Sequence, residues 1–253
     1  MKFFKKPLMY LCGLIFLLGI WFLLSSIFDV NSMVFPTPFV TIKRMVELLC
    51  KRNTYRYLGF SLLRLLIGFV ISFAVAFLIG IIVNNNEYLY NFFTPVMTFL
   101  KAAPTATFVF LFIILSGARN APVYVVFTVT MPILYESIVG ALKNTNKHVL
   151  EASKIDGANK IKTLFRVQIP LGIPFISLGI ASTLALAFKI EIMAEIITGF
   201  TNGGLGSMIH NSQLINPTDL TDMFAYSLMA IIVVLLVTFL TELIKKSNTD
   251  KSK

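Results

Sequence analysis

The sequence predicts an all-α membrane protein with six transmembrane helices, and three observations support this fold class. Of the 253 residues, 57% are hydrophobic and 13% are charged, and the mean hydropathy is +0.82; soluble domains carry about 25% charged residues. Six apolar runs are long enough to cross a hydrocarbon core of about 30 Å, which takes roughly 20 helical residues. These runs lack the sustained two-residue alternation that is typical of membrane β-barrels.

The six runs form a single transmembrane domain over residues 1–253. The predicted spans lie near 8–28, 58–83, 92–116, 121–142, 171–197 and 223–244. The first run follows three lysines, as a signal peptide would. However, it exceeds the 7–15 apolar residues of a signal peptide, and no A-x-A-like cleavage site follows, so we expect a retained helix. Segment 39–52 mixes apolar and basic residues in a pattern that predicts an amphipathic interfacial helix.

Basic residues predict the orientation of these spans. With six crossings and a cytoplasmic N-terminus, thirteen Lys and Arg residues fall in cytoplasmic segments, six in outer segments and three within apolar runs. The positive-inside rule therefore favours cytoplasmic N- and C-termini. The net charge of +10 is thus a signal of topology. We expect no nucleic-acid partner, because the sequence shows no basic, aromatic-interleaved soluble domain that would bind one.

The sequence lacks the common motifs for nucleotide binding, hydrolytic catalysis and metal binding. No G-x-x-x-x-G-K-[ST] loop occurs, and the glycine-rich stretch 202–207 lacks the lysine that a phosphate loop needs. Neither H-E-x-x-H nor G-x-S-x-G is present, and Cys12 and Cys50 offer no disulfide framework or metal spacing. We therefore expect no catalytic residue, metal or cofactor in this chain. Any hydrolysis of ATP-Mg would take place on another polypeptide.

A polar stretch between the fourth and fifth runs carries a spaced motif. Its frame is Glu-Ala-small, three residues, Gly, nine residues, then aliphatic-any-aliphatic-Pro. The matching residues are Glu151, Ala152, Ser153, Gly157, Val167, Ile169 and Pro170. This frame resembles the "EAA" loop of the membrane permeases of ATP-binding-cassette (ABC) importers. Alternatively, it is an ordinary amphipathic loop helix, but seven positions at fixed spacing favour the permease loop.

The resemblance implies that loop 147–166 forms a cytoplasmic coupling helix that docks into a groove on a separate ATPase. A helix in a groove uses apolar anchors at helical spacing, and a glycine permits close backbone approach. The residues expected to couple to the ATPase are Glu151, Ala152, Ile155, Gly157, Ala158 and Phe165.

Further short motifs resemble one branch of these permeases, the nitrate/sulfonate/taurine type, which also includes importers of vitamin precursors. They are Val34-Phe-Pro-Thr-Pro38, Ser61-Leu-Leu-Arg64 with Gly68, Lys101-Ala-Ala-Pro104, Phe188-Lys189, Ala194-Glu195 and Gly204-Leu-Gly206. The chain departs from the branch at Phe188 (usually Trp), Lys101 (usually Arg), Glu136 and Glu191. The resemblance implies a type I ABC importer fold in a bacterial plasma membrane. It also implies two permease protomers, favoured as a homodimer, two ATPase subunits and an extracytoplasmic solute-binding protein.

The fifth run carries ionisable residues at regular spacing. Gly179, Thr183, Ala187, Glu191 and Glu195 recur every four residues, and Lys189 lies on a neighbouring stripe. A charge near the bilayer centre costs at least about 2.5–3.5 kcal/mol on insertion scales. We therefore expect Lys189, Glu191 and Glu195 to face the bundle interior or a wet cavity.

The residues predicted to line or gate a pathway are Lys189, Glu191, Glu195 and Lys101. An internal Lys–Glu network and a direct lining role both remain open for them. As a cationic partner for Glu195 we expect Lys101, or Lys189 of a second protomer. Arg64 lies about two turns from a helix end, so we expect it to reach the headgroups as an anchor.

Two other functions remain open from sequence alone. An ion-coupled secondary transporter would use Glu191 and Glu195, although the six runs show no internal repeat of the kind that many such carriers have. A non-transport membrane assembly factor is the other alternative. The substrate is equally open, because Lys101 and Lys189 suit an anion such as a sulfonate. Glu136 and the two glutamates of the fifth run instead favour a neutral heterocycle, such as a vitamin or its precursor.

Overall fold

The computed structural model describes residues 5–27, 35–199 and 203–250, and within these ranges the chain is all-helical. Val34 of the predicted outer turn, Asn202, and the lysines at 2, 251 and 253 lie outside the described residues. The helices are α1 Lys5–Ile27, α2 Pro38–Leu49, α3 Arg52–Asn84, α4 Glu87–Ala102, α5 Thr105–Ser116, α6 Ala121–Lys143, α7 Lys147–Ile155, α8 Lys160–Thr163, α9 Ile169–Thr198, α10 Leu205–Ile215 and α11 Thr221–Asp250. A π-helical turn, Leu164–Gln168, joins α8 to α9.

Within the described residues, four helical stretches are long and apolar enough to cross a membrane. They are α3, α6, the continuous stretch Lys160–Thr198 that ends in α9, and Thr221–Thr241 of α11. The bent pair α4 and α5 would make a fifth span, and the apolar part of α1, Cys12–Ile27, is shorter. The all-α membrane class is confirmed, whereas six crossings remain a prediction.

The third predicted span, 92–116, is not one straight helix. It is broken between α4 and α5, whose axes differ by 95°. Proline has no N–H to donate and disfavours helical geometry in the residue before it. Accordingly, Ala103 before Pro104 is extended, with φ −68° and ψ 134°.

The core of the bundle is formed by α3, α6 and α9, with α6 between the other two. Small residues allow helix backbones to approach closely in lipid. A methyl group added at Gly80 of α3 would collide with Ile138 of α6, and one added at Gly179 of α9 would collide with Ser137. The predicted four-residue stripe of α9, from Gly179 to Glu195, is indeed buried against this core.

Helix α2 is amphipathic, as the sequence predicts, and is fastened to the start of α11. Thr41 and Leu48 are buried whereas Phe39 is 78% exposed. Arg44 donates to both carboxylate oxygens of Asp222, at 2.5 and 3.2 Å. Hydrogen bonding to this carboxylate raises the pKa of the Arg44 guanidinium further above its usual range.

A buried polar latch and an exposed coupling loop

Glu195 lies at the centre of a buried polar cluster near the C-terminal end of α9. Its side chain is fully buried, and it accepts hydrogen bonds from three donors. The hydroxyl of Ser61 lies 2.7 Å away, the guanidinium of Arg64 2.9 Å and the backbone N–H of Gly206 2.9 Å. One carboxylate therefore joins α3, α9 and the start of α10.

The segment before α10 is held by two more bonds from α3. Arg64 also donates to the Gly203 carbonyl at 2.6 Å, and the Leu205 N–H donates to the Ser61 hydroxyl at 2.8 Å. We call Ser61, Arg64, Glu195 and the backbone of 203–206 the latch. Removing one member of a buried ion pair is strongly destabilising, by about 3–5 kcal/mol, because the other charge is left uncompensated.

Two of the three glycines in the latch, Gly204 and Gly206, are needed because other atoms lie close to their Cα atoms. A Cβ atom at Gly204 would overlap the Glu195 carboxylate and the Ser61 hydroxyl. One at Gly206 would overlap the Ile192 carbonyl oxygen and the Glu195 side chain. Without Cβ atoms, this backbone reaches a carboxylate that a larger residue could not approach.

The latch corrects two expectations from the sequence. The cation beside Glu195 is Arg64, rather than Lys101 or Lys189. Arg64 does not extend to the headgroups, since its side chain is 13% exposed and points into the ion pair. The available signal was the Ser61-x-x-Arg64 spacing, which places both side chains on one face of α3.

Glu191 lies one turn before Glu195 and is also fully buried. Its interior position agrees with the sequence prediction. Neither of its carboxylate oxygens has a hydrogen-bond partner among the described residues. Glu191 therefore takes no part in the hydrogen bonds of the latch, and its gating role remains a prediction.

Lys189 lies on the opposite side of α9, exposed on the surface of the single chain. It therefore faces away from the core of this chain, so of the two expected settings, the bundle interior and a wet cavity, the wet cavity remains the prediction. It lines two neighbouring grooves between α9 and α11, with volumes of about 530 and 390 Å³. A lysine within an apolar span avoids hydrocarbon, which favours a water-filled or protomer-covered surface here.

Lys101 makes a different contact from the one predicted. Its ammonium lies 2.6 Å from the Glu136 carboxylate of α6, and the two side chains are 41% and 49% exposed. Lys101 and Glu136 are both departures from the branch pattern, and each supplies the other's counter-charge. Beside Glu136, a cleft of about 320 Å³ between α4 and α6 is lined by Tyr90, Thr94 and Tyr135 among others.

The predicted coupling loop is well ordered by local bonds. Gly157, with φ +74°, turns the chain between α7 and α8, a backbone geometry that favours glycine. The Asn159 side chain caps α8 by accepting from the Lys162 N–H at 2.8 Å. The hydroxyls of Ser153 and Thr163 lie 3.0 Å apart and hold α7 against α8.

Large apolar side chains protrude from this polar loop. Ile155 is 86% exposed, Phe165 is 56% exposed, and Ile161, which the sequence prediction did not include, is 66% exposed. Glu151 and Ala152 are exposed and Ala158 is half-buried. Together these side chains form a surface on which a partner could bury apolar area.

Gln168 connects the coupling loop to the bundle. It is buried at the end of the π-helical turn. Its side-chain oxygen accepts a hydrogen bond from the side-chain amide of Asn84 at 2.9 Å. Its side-chain amide donates to the backbone carbonyl of Leu142 at 3.4 Å. The end of the turn that follows the loop is therefore bonded to the ends of α3 and α6. Sequence analysis missed this residue because its partners are distant in the chain.

The described residues form an apolar helical bundle with a peripheral polar loop and a buried latch, which defines a multi-pass membrane protein. In the described ranges, no group of three or more His, Cys, Asp or Glu residues could hold a metal ion. The chain belongs to the family of binding-protein-dependent transport system inner membrane components, whose model matches residues 68–249.

Named relatives agree with this family. A probable ABC transporter permease protein of Brucella melitensis is 25% identical over 78% of this chain and 78% of its own length. The putative aliphatic sulfonates transport permease protein SsuC of Bacillus subtilis is 21% identical, over 80% of this chain and 73% of its own. The nitrate import permease protein NrtB of Synechocystis is 25% identical over 62% of this chain and 58% of its own.

Solved structures confirm the type I permease fold. The inward-facing MetNI methionine ABC transporter aligns with a TM-score of 0.68 at 17% identity, covering 77% of this chain and 95% of that one. A bacterial ABC transporter that imports alginate aligns with a TM-score of 0.60 at 16% identity, covering 98% and 99%. This chain is thus the multi-pass permease subunit of an ABC importer. It provides the translocation pathway, and ATP hydrolysis belongs to a separate chain.

Proposed function

We propose that two copies of this chain enclose one pathway, with two ATPases docked on their coupling loops and a solute-binding protein on the opposite face. The observation that carries this proposal is the exposure of Ile155, Ile161 and Phe165 on a loop that is otherwise polar and internally bonded. Exposed apolar groups in such a setting mark an interaction site. Twofold homodimers are the commonest closed oligomers, which favours a symmetric homodimer here.

Helix α9 supplies the mechanical link in this proposal. It has 30 residues, which corresponds to about 45 Å at 1.5 Å per residue. The π-helical turn that ends at Gln168 connects its first turn to the coupling loop along the chain, and Glu195 joins its last turn to the latch. Movement of a docked loop would therefore be transmitted along α9 as a rigid body and would shift the segment 203–206.

The substrate we propose is a small anion. Arg64 neutralises Glu195, and Lys101 and Glu136 neutralise each other. Lys189 forms no salt bridge within the part of the chain that the structure describes, so it contributes a net positive charge to the grooves between α9 and α11. The relatives named for aliphatic sulfonates and nitrate support this choice.

Reconstitution tests the proposed assembly. Purified permease, its ATPase and its solute-binding protein in proteoliposomes should import a small sulfonate or nitrate when ATP is hydrolysed, and native mass spectrometry should find two copies of this chain. Uptake of a neutral heterocycle alone would contradict the substrate class. Uptake driven by an ion gradient without ATP would instead support a secondary transporter that uses Glu191 and Glu195. A complex without transport would support an assembly factor.

Cysteine labelling tests the proposed orientation. In a background without Cys12 and Cys50, which are both exposed, Lys162→Cys should be labelled only from the cytoplasmic side and Thr218→Cys only from outside. Both positions are exposed, whereas Thr163 and Ser207 are buried and would label poorly at either face. Labelling of both cysteines from the same side would contradict the proposed topology.

A further inference from the structure

A basic cleft of about 440 Å³ lies between the N-terminal half of α3 and the turn that joins α5 to α6. Its polar lining consists of Arg56, Arg64, Arg119 and Asn120, and its apolar lining of Phe60, Leu63, Ile67 and Val123. No aspartate or glutamate lines it. Three arginines therefore converge on one concavity, and each carries planar donors suited to a phosphate group.

The guanidinium groups at the mouth of the cleft are available to a ligand. Arg56 and Arg119 are exposed, and neither forms a salt bridge within the described ranges. Arg56 lies over the Phe60 ring, 5.5 Å from its centroid, which orients the guanidinium. Arg64, at the inner wall, is occupied by the latch.

The apolar wall of the cleft continues along the outside of α3. Leu63 is 53% exposed and Ile67 43%, and Val70 follows on the same side at 61%. The spacing of four and then three residues places them on one helix face. A ligand that fills this cleft therefore meets positive charge at one end and a strip of exposed hydrocarbon at the other.

We propose that this cleft binds an anionic phospholipid. The phosphate is held by Arg56 and Arg119, and the first part of an acyl chain lies along Leu63 and Ile67. Basic residues are depleted from translocated segments. Two arginines without a salt bridge nevertheless share one cleft on the proposed outer side, and a bound anion would stabilise them. The continuous apolar strip favours a lipid over a soluble anion and over the acidic surface of a protein.

Lipid retention by the purified permease tests this site. Native mass spectrometry should show tighter retention of phosphatidylglycerol than of phosphatidylcholine. The Arg56→Gln/Arg119→Gln variant should lose about tenfold or more of this preference, as expected when charge-assisted hydrogen bonds are removed. The control variant, Lys51→Gln/Arg52→Gln, loses the same charge at nearby exposed positions outside the cleft and should keep the preference.

Three results would overturn the proposal. Equal retention of phosphatidylglycerol and phosphatidylcholine by the wild type would show that the cleft does not select an anionic lipid. Competition by water-soluble glycerol phosphate as strong as that by the lipid would identify a free-anion site. Unchanged lipid retention in the Arg56/Arg119 variant, together with lost solute-binding-protein attachment in nanodiscs of neutral lipid, would identify a protein-docking surface. None of these readouts depends on transport, so the site can fail while the proposed function stands.

Discussion

Glu195→Gln should abolish most transport while leaving the permease inserted in the membrane. Glu195 is fully buried and accepts three hydrogen bonds, one of them from the guanidinium of Arg64. A neutral amide has one acceptor oxygen and leaves the cation uncompensated. Breaking a buried ion pair costs about 3–5 kcal/mol, enough to release segment 203–206. We expect ATP-driven uptake in proteoliposomes to fall at least about tenfold, the equivalent of 1.4 kcal/mol.

Glu191→Gln is the matched control for this prediction. Glu191 is on the same helix and equally buried, but it makes none of the latch bonds. The same change there should leave uptake much closer to that of the wild type. The solute affinity of the binding protein should be unaffected by either variant. If Glu195→Gln transports normally and its ATPase is stimulated normally by the binding protein, the residue has a packing role alone.

Local patterns in the sequence predicted the elements, but not how distant residues pair. Composition identified the membrane class, and the four-residue spacing identified the buried stripe of α9. The Arg64–Glu195 pair joins residues 131 positions apart, and no periodicity within one helix reveals such a contact. From the sequence alone, Arg64 is therefore expected at the headgroups, and Glu195 is expected to pair with other cations.

The bent third span shows a different limit. Hydropathy alone merges 92–116 into one run, because the residues on both sides of Pro104 are apolar. The structure divides the run at this proline and turns the chain by 95°. Lys101 lies at the end of α4 and reaches Glu136 of α6. Lys101 and Glu136, which both depart from the motifs of the branch, thus form one ion pair. Comparing each position with the motif separately does not reveal this pairing.

Gly157→Trp should detach the ATPase from the permease without disturbing the fold of the permease itself. Gly157 has φ +74°, and a Cβ atom added there would meet no other described atom within 4 Å. The space is therefore open in the permease alone and would be filled by an ATPase that approaches the loop closely. An indole in this space should weaken attachment roughly 30-fold or more, the size of an interface hot spot of 2 kcal/mol.

Gly157→Ala separates bulk from backbone strain in this test. Alanine and tryptophan both carry the penalty of about 1–2 kcal/mol for left-handed geometry, but alanine adds one methyl group. Affinity pull-down of the ATPase and ATP-driven uptake should therefore be largely retained with alanine and lost with tryptophan. Equal losses in both variants would assign the effect to the turn itself. If the Gly157→Trp permease retains its ATPase and transports at the normal rate, the coupling loop is not the ATPase docking surface.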